Sequence, residues 1–267
     1  MMTLDEVFAT ARADGRAALI GYLPAGFPTR DGAVAAAITM IAAGVDVIEI
    51  GLPYSDPLMD GPTIQDAVSR SLAAGTTTAD VLAAVAEVAR AGVPALVMTY
   101  WNPVEQYGVD RFADDLAAAG GAGVITPDLT LEEADPWLAA AAGAGIAPVF
   151  VVAPSSTDDR LARVTARCRG FVYAASTMGV TGTRDQVSDR APALVDRVRA
   201  VTHLPVAVGL GVSNGSQAAR VAGYADGVIV GSAFVRRLID AADPASGLAA
   251  VRDLAAELAD GVRHPSH

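Results

Sequence analysis

The chain has 267 residues, 52% of them hydrophobic, and a formal charge of −11 from 19 basic and 30 acidic side chains. That charge argues against a nucleic-acid or anionic-membrane surface as the main partner, and the single cysteine, Cys168, excludes an internal disulfide. All 19 basic residues are arginine, which excludes a lysine Schiff base to a substrate or to pyridoxal phosphate.

The N-terminal stretch MMTLDEVFATARADG is acidic and carries no apolar signal core, so a cytoplasmic location is expected. Thr3 with Glu6 reads as a capping box that opens a helix. Short β-branched runs then alternate with alanine-rich amphipathic stretches. Strands are predicted at 18–22, 45–50, 95–99, 123–126, 148–152, 170–174, 206–208 and 227–230. Thr29 is placed to cap a helix running to residue 43, and Pro62 sits where a first helical residue belongs. Two helices, about 64–73 and 78–90, fill the long gap between the second and third strands. Thr130 with Glu133 forms a second capping-box pattern. The charge-free stretch 137–154 reads as a helix followed by a VFVV strand, interrupted by Pro148, and not as a membrane span.

Eight strand–helix alternations imply parallel strands joined by right-handed crossovers. No linker or break in composition divides the chain. The predicted class is therefore α/β, a single (β/α)8 TIM barrel over residues 1–267 with extra helices and a frayed tail from about 261 to 267.

Residues 45–62, VDVIEIGLPYSDPLMDGP, concentrate the chemistry. Glu49 closes a strand that reads as buried, where a carboxylate is costly unless paired or used. Val45, Val47 and Glu49 share one strand face. If that face points inward, Glu49 stands at the barrel mouth; the alternative is a Glu paired with an arginine on a covering helix. Asp60 follows in the next loop, and two carboxylates gathered at a strand end suggest acid–base work. Asp60-Gly61 and Asp56-Pro57 are also ordinary turn pairs.

Three glycine-bearing segments, 176–182, 209–212 and 231–233, follow the sixth, seventh and eighth strands. Glycines let backbone amides approach an anion, and Gly231-Ser232 opens a helix, so these segments read as a phosphate site or else as plain tight turns. Tyr22 and Tyr173 are expected to line a pocket, with Tyr100 and Trp101 packing or facing a partner. Asp128 reads as a turn or helix-start residue, and Cys168 as a bland buried thiol. The three histidines, His203, His264 and His267, are too scattered to suggest a metal site or a serine–histidine triad, and no metal is expected.

Together these residues resemble the tryptophan synthase alpha subunit family. The similarity runs from LPAGFPT at 23–29 to GSAFV at 231–235, and its most specific stretches are EIGLPYSDPLMDGPTIQ at 49–65 and GVTG at 179–182. The resemblance implies retro-aldol cleavage of indole-3-glycerol phosphate, with Glu49 as the acid–base residue and Asp60 bound to the indole N–H. It implies a phosphate site at Gly182, Gly211, Gly231 and Ser232, and an indole pocket of Tyr22, Ile64, Met98, Ile125, Tyr173 and Leu210. Thr181 would lie on a loop that closes toward Asp60. The resemblance further implies no cofactor on this chain, and an alpha2beta2 heterotetramer whose beta subunit carries pyridoxal phosphate and receives indole through a tunnel. Asp56, Pro57, Tyr100, Trp101, Asn102, Asp128 and Leu129 fall where that partner is expected. Leu210, Thr130 and Met178 depart from residues often found at their positions and bear on affinity and partner coupling. A free-standing indole-glycerol phosphate lyase, another phosphate-binding barrel and a non-catalytic activating subunit are the competing readings.

Overall fold

A computed structural model describes residues 2–175, 190–209 and 211–266. Its eight strands are β1 (Ala18–Pro24), β2 (Val47–Gly51), β3 (Ala95–Met98), β4 (Gly123–Thr126), β5 (Ala147–Val152), β6 (Val172–Ala175), β7 (Val206–Gly209) and β8 (Gly227–Val230). They pair in sequence order, all parallel, and β8 returns to β1 to close the barrel. The expected barrel is the one that forms, with each strand end within two residues of its predicted place.

The strands are legible because both their faces are covered. β1, β2, β4 and β8 are buried along their whole length, as near-continuous apolar runs in a parallel sheet require. The covering helices among the described residues are α1 (Leu4–Ala13), α2 (Arg30–Ala42), α3 (Pro62–Ala73), α4 (Thr78–Arg90), α5 (Trp101–Tyr107), α6 (Val109–Ala118), α7 (Asp135–Ala144), α8 (Asp158–Thr165), α9 (Arg190–Arg199), α10 (Gly215–Ala222), α11 (Ser232–Ile239) and α12 (Pro244–Arg263).

Inside the barrel, Ile20, Val47, Leu96, Ile125, Val149, Phe171, Ala207 and Ile229 form a packed core. Helix α1 plugs its N-terminal end. The Thr3–Glu6 capping box starts that helix, and Leu4, Val7, Phe8 and Ala11 line its buried face. Phe8 meets Phe171 with ring centroids 5.5 Å apart. The barrel is thus filled from below, and only its C-terminal mouth is left for polar side chains.

Several local expectations hold. Thr29 caps α2 through the Gly32 N–H, and Pro62 opens α3. The stretch 137–154 divides between α7 and β5, with Gly145 in the left-handed conformation ending the helix. No single helix among the described residues is long and apolar enough to cross a membrane. Cys168 is buried, and burial pushes its thiol up to about 11.

Two expectations are corrected. Thr130 and Glu133 close a turn, and α7 begins only at Asp135, because Pro136 supplies the first-turn residue that needs no N–H partner. The tail does not fray at Gly261. Helix α12 continues through Arg263, and Gly261 packs so closely on Gly215 that a Cβ would lie 2.2 Å from the Gly215 carbonyl oxygen.

Candidate active site

The position of Glu49 follows from the strand pattern: Val47 points into the packed core, so Glu49, two residues on, points the same way at its top. The side chain is 1% exposed, and among the described residues neither carboxylate oxygen has a hydrogen-bond partner. Burial alone raises its pKa from 4.5 to about 8. Among the described residues no arginine pairs with it. A carboxyl raised in this way holds its proton closer to neutral pH than an ordinary glutamate does, the condition a general acid needs.

Two tyrosines stand beside it. Tyr22 on β1 is the register partner of Glu49 on β2. Burial, then the carboxylates of Asp60 and Glu49, push the Tyr22 phenol well above its ordinary value. Tyr173 on β6 is raised by burial and by Glu49. Both phenols lie across glycines. A Cβ on Gly51 would sit 2.3 Å from the Tyr22 hydroxyl, and one on Gly209 would sit 2.4 Å from that of Tyr173. The strand-end glycines therefore give the tyrosines room to lie over the mouth. Ile125 and half-buried Met98 supply its apolar floor, and Ile64 joins the cluster that includes Tyr22.

Asp60 lies on the loop between β2 and α3. Burial raises its pKa, and a hydrogen bond from Tyr100 opposes that rise. The Tyr100 hydroxyl donates to Asp60 Oδ1 at 3.1 Å and accepts from the Met59 N–H at 3.0 Å. Gln65 Nε2 donates to the Asp60 carbonyl at 2.7 Å. Sequence reasoning assigned Tyr100 to packing or to a partner surface. The structure buries it to 6% exposure and turns its hydroxyl into the site. No sequence motif signals this, because β3 and the Asp60 loop meet only through the barrel.

On the β7–β8 side of the rim, Gly211 has φ +69° and Gly231 caps α11 without a side chain, with Ser232 buried behind it. Such a helix start favours an anion. Arg236 on α11 donates to Thr63 Oγ1 on α3 at 2.6 Å, tying this rim to the helix that follows Asp60. Thr181, Gly182 and Leu210 lie outside the described residues.

The residues expected at a partner surface divide. Asp56 and Asn102 are exposed, Pro57 is half-buried, and Leu58 beside them is 71% exposed. Trp101 packs edge-on against buried Trp137. Asp128 accepts from the Trp101 N–H at 3.0 Å, capping α5 from across the rim, and Leu129 is buried. Among the described residues no cluster of His, Cys, Asp or Glu is arranged for a metal ion.

A closed (β/α)8 barrel, with a buried carboxyl that has no partner among the described residues at its C-terminal mouth and a second carboxylate on the adjoining loop, has the architecture of a barrel enzyme. The family model for the tryptophan synthase alpha chain matches residues 8–263. The tryptophan synthase alpha chain of Thermobifida fusca is 62% identical over 266 residues, covering 98% of each chain. That of Salinispora arenicola is 60% identical and covers each chain fully. A tryptophan synthase structure from Mycobacterium tuberculosis superposes with a TM-score of 0.92 at 56% identity, covering 97% of this chain and 98% of that one. The chain belongs to the tryptophan synthase alpha chain family.

Proposed function

We propose that the chain cleaves indole-3-glycerol phosphate to indole and glyceraldehyde 3-phosphate, with Glu49 moving the protons and Asp60 holding the indole N–H. One observation carries this reading. Glu49 is buried without a partner and held up to about 8, so it enters the reaction as an acid.

The Glu49 proton goes to the indole carbon that bears the glycerol side chain, and the ring nitrogen takes up positive charge. Asp60 stabilises that charge through the N–H. The Glu49 carboxylate then removes the proton of the adjacent side-chain hydroxyl. The carbon–carbon bond breaks, its electron pair restores the aromatic ring, and the hydroxyl carbon leaves as the aldehyde. Protonated indole is the electron sink, which suits a chain without lysine. A well-placed proton-transfer group contributes roughly 10²–10⁴-fold.

Tyr22, Tyr173, Met98, Ile125 and Ile64 hold the indole in this reading, with Leu210 and Thr181. Gly211, Gly231 and Ser232, with Gly182, receive the phosphate. Indole passes to a beta subunit in an alpha2beta2 heterotetramer, and the surface around Asp56, Pro57, Leu58 and Asn102 meets that partner. Leu58 is an apolar side chain left 71% exposed by the described residues. Pyridoxal phosphate belongs to the partner, since this chain has no lysine to hold it, and this chain works without a cofactor in the cytoplasm.

Indole release by the purified chain, alone and with its cognate beta subunit, tests the proposal. Weak release that rises strongly with the partner supports it. Full release unchanged by the partner points to a free-standing lyase, and no release from folded protein in either condition removes the catalytic claim.

A further inference from the structure

We propose that Tyr100 is a positioning residue for Asp60, holding its carboxylate at the barrel mouth through one hydrogen bond and anchoring the loop that carries it through another. The inference rests on Asp60 acting as proposed above, and it adds a residue on a different strand end to that site.

Among the described residues, the polar contacts of the Tyr100 hydroxyl go to two consecutive residues. It donates to Asp60 Oδ1 and accepts from the Met59 N–H, and the Asp60 backbone N–H adds a weaker pull on the same oxygen. The ring is fixed independently, 6% exposed and packed at a 40° tilt against Tyr54 with centroids 5.6 Å apart. Tyr54 is itself held by Asn102, whose Nδ2 donates to its hydroxyl at 3.2 Å. The hydroxyl is thus a rigid post in a wall, and the Asp60 loop is tied to it. Gln65 pins the same loop from the α3 side through the Asp60 carbonyl.

The post also matters for charge. Asp60 must be ionised to stabilise a cationic indole, yet its burial favours the neutral acid. The titratable groups near it are Tyr100 from the end of β3, Tyr22 from β1 and, beyond that phenol, Glu49 from β2. Among the described residues no arginine acts on it. The Tyr100 hydroxyl is then the donor that keeps Asp60 a carboxylate as pH falls.

Tyr100→Phe removes the hydroxyl and keeps the ring. Tyr107→Phe is the control, because the Tyr107 hydroxyl bonds Asp115 on the outer helices. Carbon-13 NMR of carboxyl-labelled aspartate, with the Asp60 signal identified by its loss in Asp60→Asn, gives the Asp60 titration midpoint directly. In Tyr100→Phe the midpoint is expected to move to higher pH, and in Tyr107→Phe to stay. The acid limb of kcat/KM for indole release is expected to move with it. The loss should be roughly tenfold to a hundredfold near about pH 6 and smaller near about pH 8. An unchanged Asp60 midpoint overturns the proposal, whatever the activity. An acid limb that overlays that of the wild type overturns it too. If the wild-type chain releases no indole, the proposed reaction fails, while the NMR midpoint still decides the role of Tyr100.

Discussion

Tyr22 and Glu49 face each other across the β1–β2 ladder as register partners, so their side chains leave the sheet on the same side at the barrel mouth. The phenol arches over Gly51, two residues beyond Glu49 on its own strand face, and over Gly231 at the end of β8. One tyrosine therefore seals the carboxyl laterally and spans toward the rim where the phosphate is proposed to bind. Its own burial and that of Glu49 are parts of one arrangement, which keeps water from the carboxyl and so keeps its proton on.

The glycine seats can be tested by filling them. Gly51→Ala places a methyl 2.3 Å from the Tyr22 hydroxyl, and Gly209→Ala places one 2.4 Å from that of Tyr173. Each should displace its tyrosine, at about 1–3 kcal/mol of stability. Steady-state kinetics should show KM for indole-3-glycerol phosphate rising in both. Unchanged KM in both would mean the phenols do not line the substrate pocket.

Glu49→Gln should trade activity for stability. Below about pH 4.5 the carboxyl is protonated in folded and unfolded chains alike. Between that value and about 8 the unfolded chain gives up a proton that the folded chain keeps, so this residue lowers stability as pH rises. The full penalty above that window is at most about 5 kcal/mol. Glutamine does not titrate. Denaturant unfolding should find the variant more stable than wild type, with a gap that widens from mildly acidic to alkaline pH and then levels. A gap that narrows as pH rises would contradict a raised pKa.

The pH profile of kcat should fall on its basic side near 8, where Glu49 loses the proton it must deliver. Its acid side should lie above the ordinary carboxylate range, because burial raises Asp60. A rate that stays flat up to about pH 10 would remove Glu49 as the donor.

Away from the mouth, Asp46 receives both Arg16 nitrogens, at 2.7 and 3.0 Å, and the Leu19 N–H at 2.8 Å. The pair is mostly buried below β1 and β2. Asp46→Ala leaves the mostly buried Arg16 guanidinium with only exposed Asp14 as a carboxylate partner and the Leu19 N–H without its acceptor, and should cost about 2–3 kcal/mol. Thermal unfolding would report the loss, while kcat/KM per folded molecule should hold. A parallel drop in kcat/KM would show that the ladder below the site transmits strain to it.

The barrel was legible because both faces of each strand are covered, so apolar runs such as VDVIEI carry an unmixed signal, and a glutamate inside one stands out. What escaped was set by contacts between distant segments. Thr130 and Glu133 have the spacing of a helix start, but the same pair also closes a turn, and Pro136 decides where the helix begins. Gly261 reads as the start of a frayed tail, yet its missing side chain is what lets α12 lie against α10. Tyr100 could not be assigned to Asp60 from the sequence, since forty residues separate them and only barrel closure places one beside the other.

The most direct test is indole release from indole-3-glycerol phosphate by the wild-type chain and by Glu49→Gln, each assayed with the beta subunit present. The wild type should release indole. The variant should fall by at least about a hundredfold while remaining folded and still binding the partner. Near-wild-type release by Glu49→Gln would contradict the claim that this buried carboxyl carries the proton.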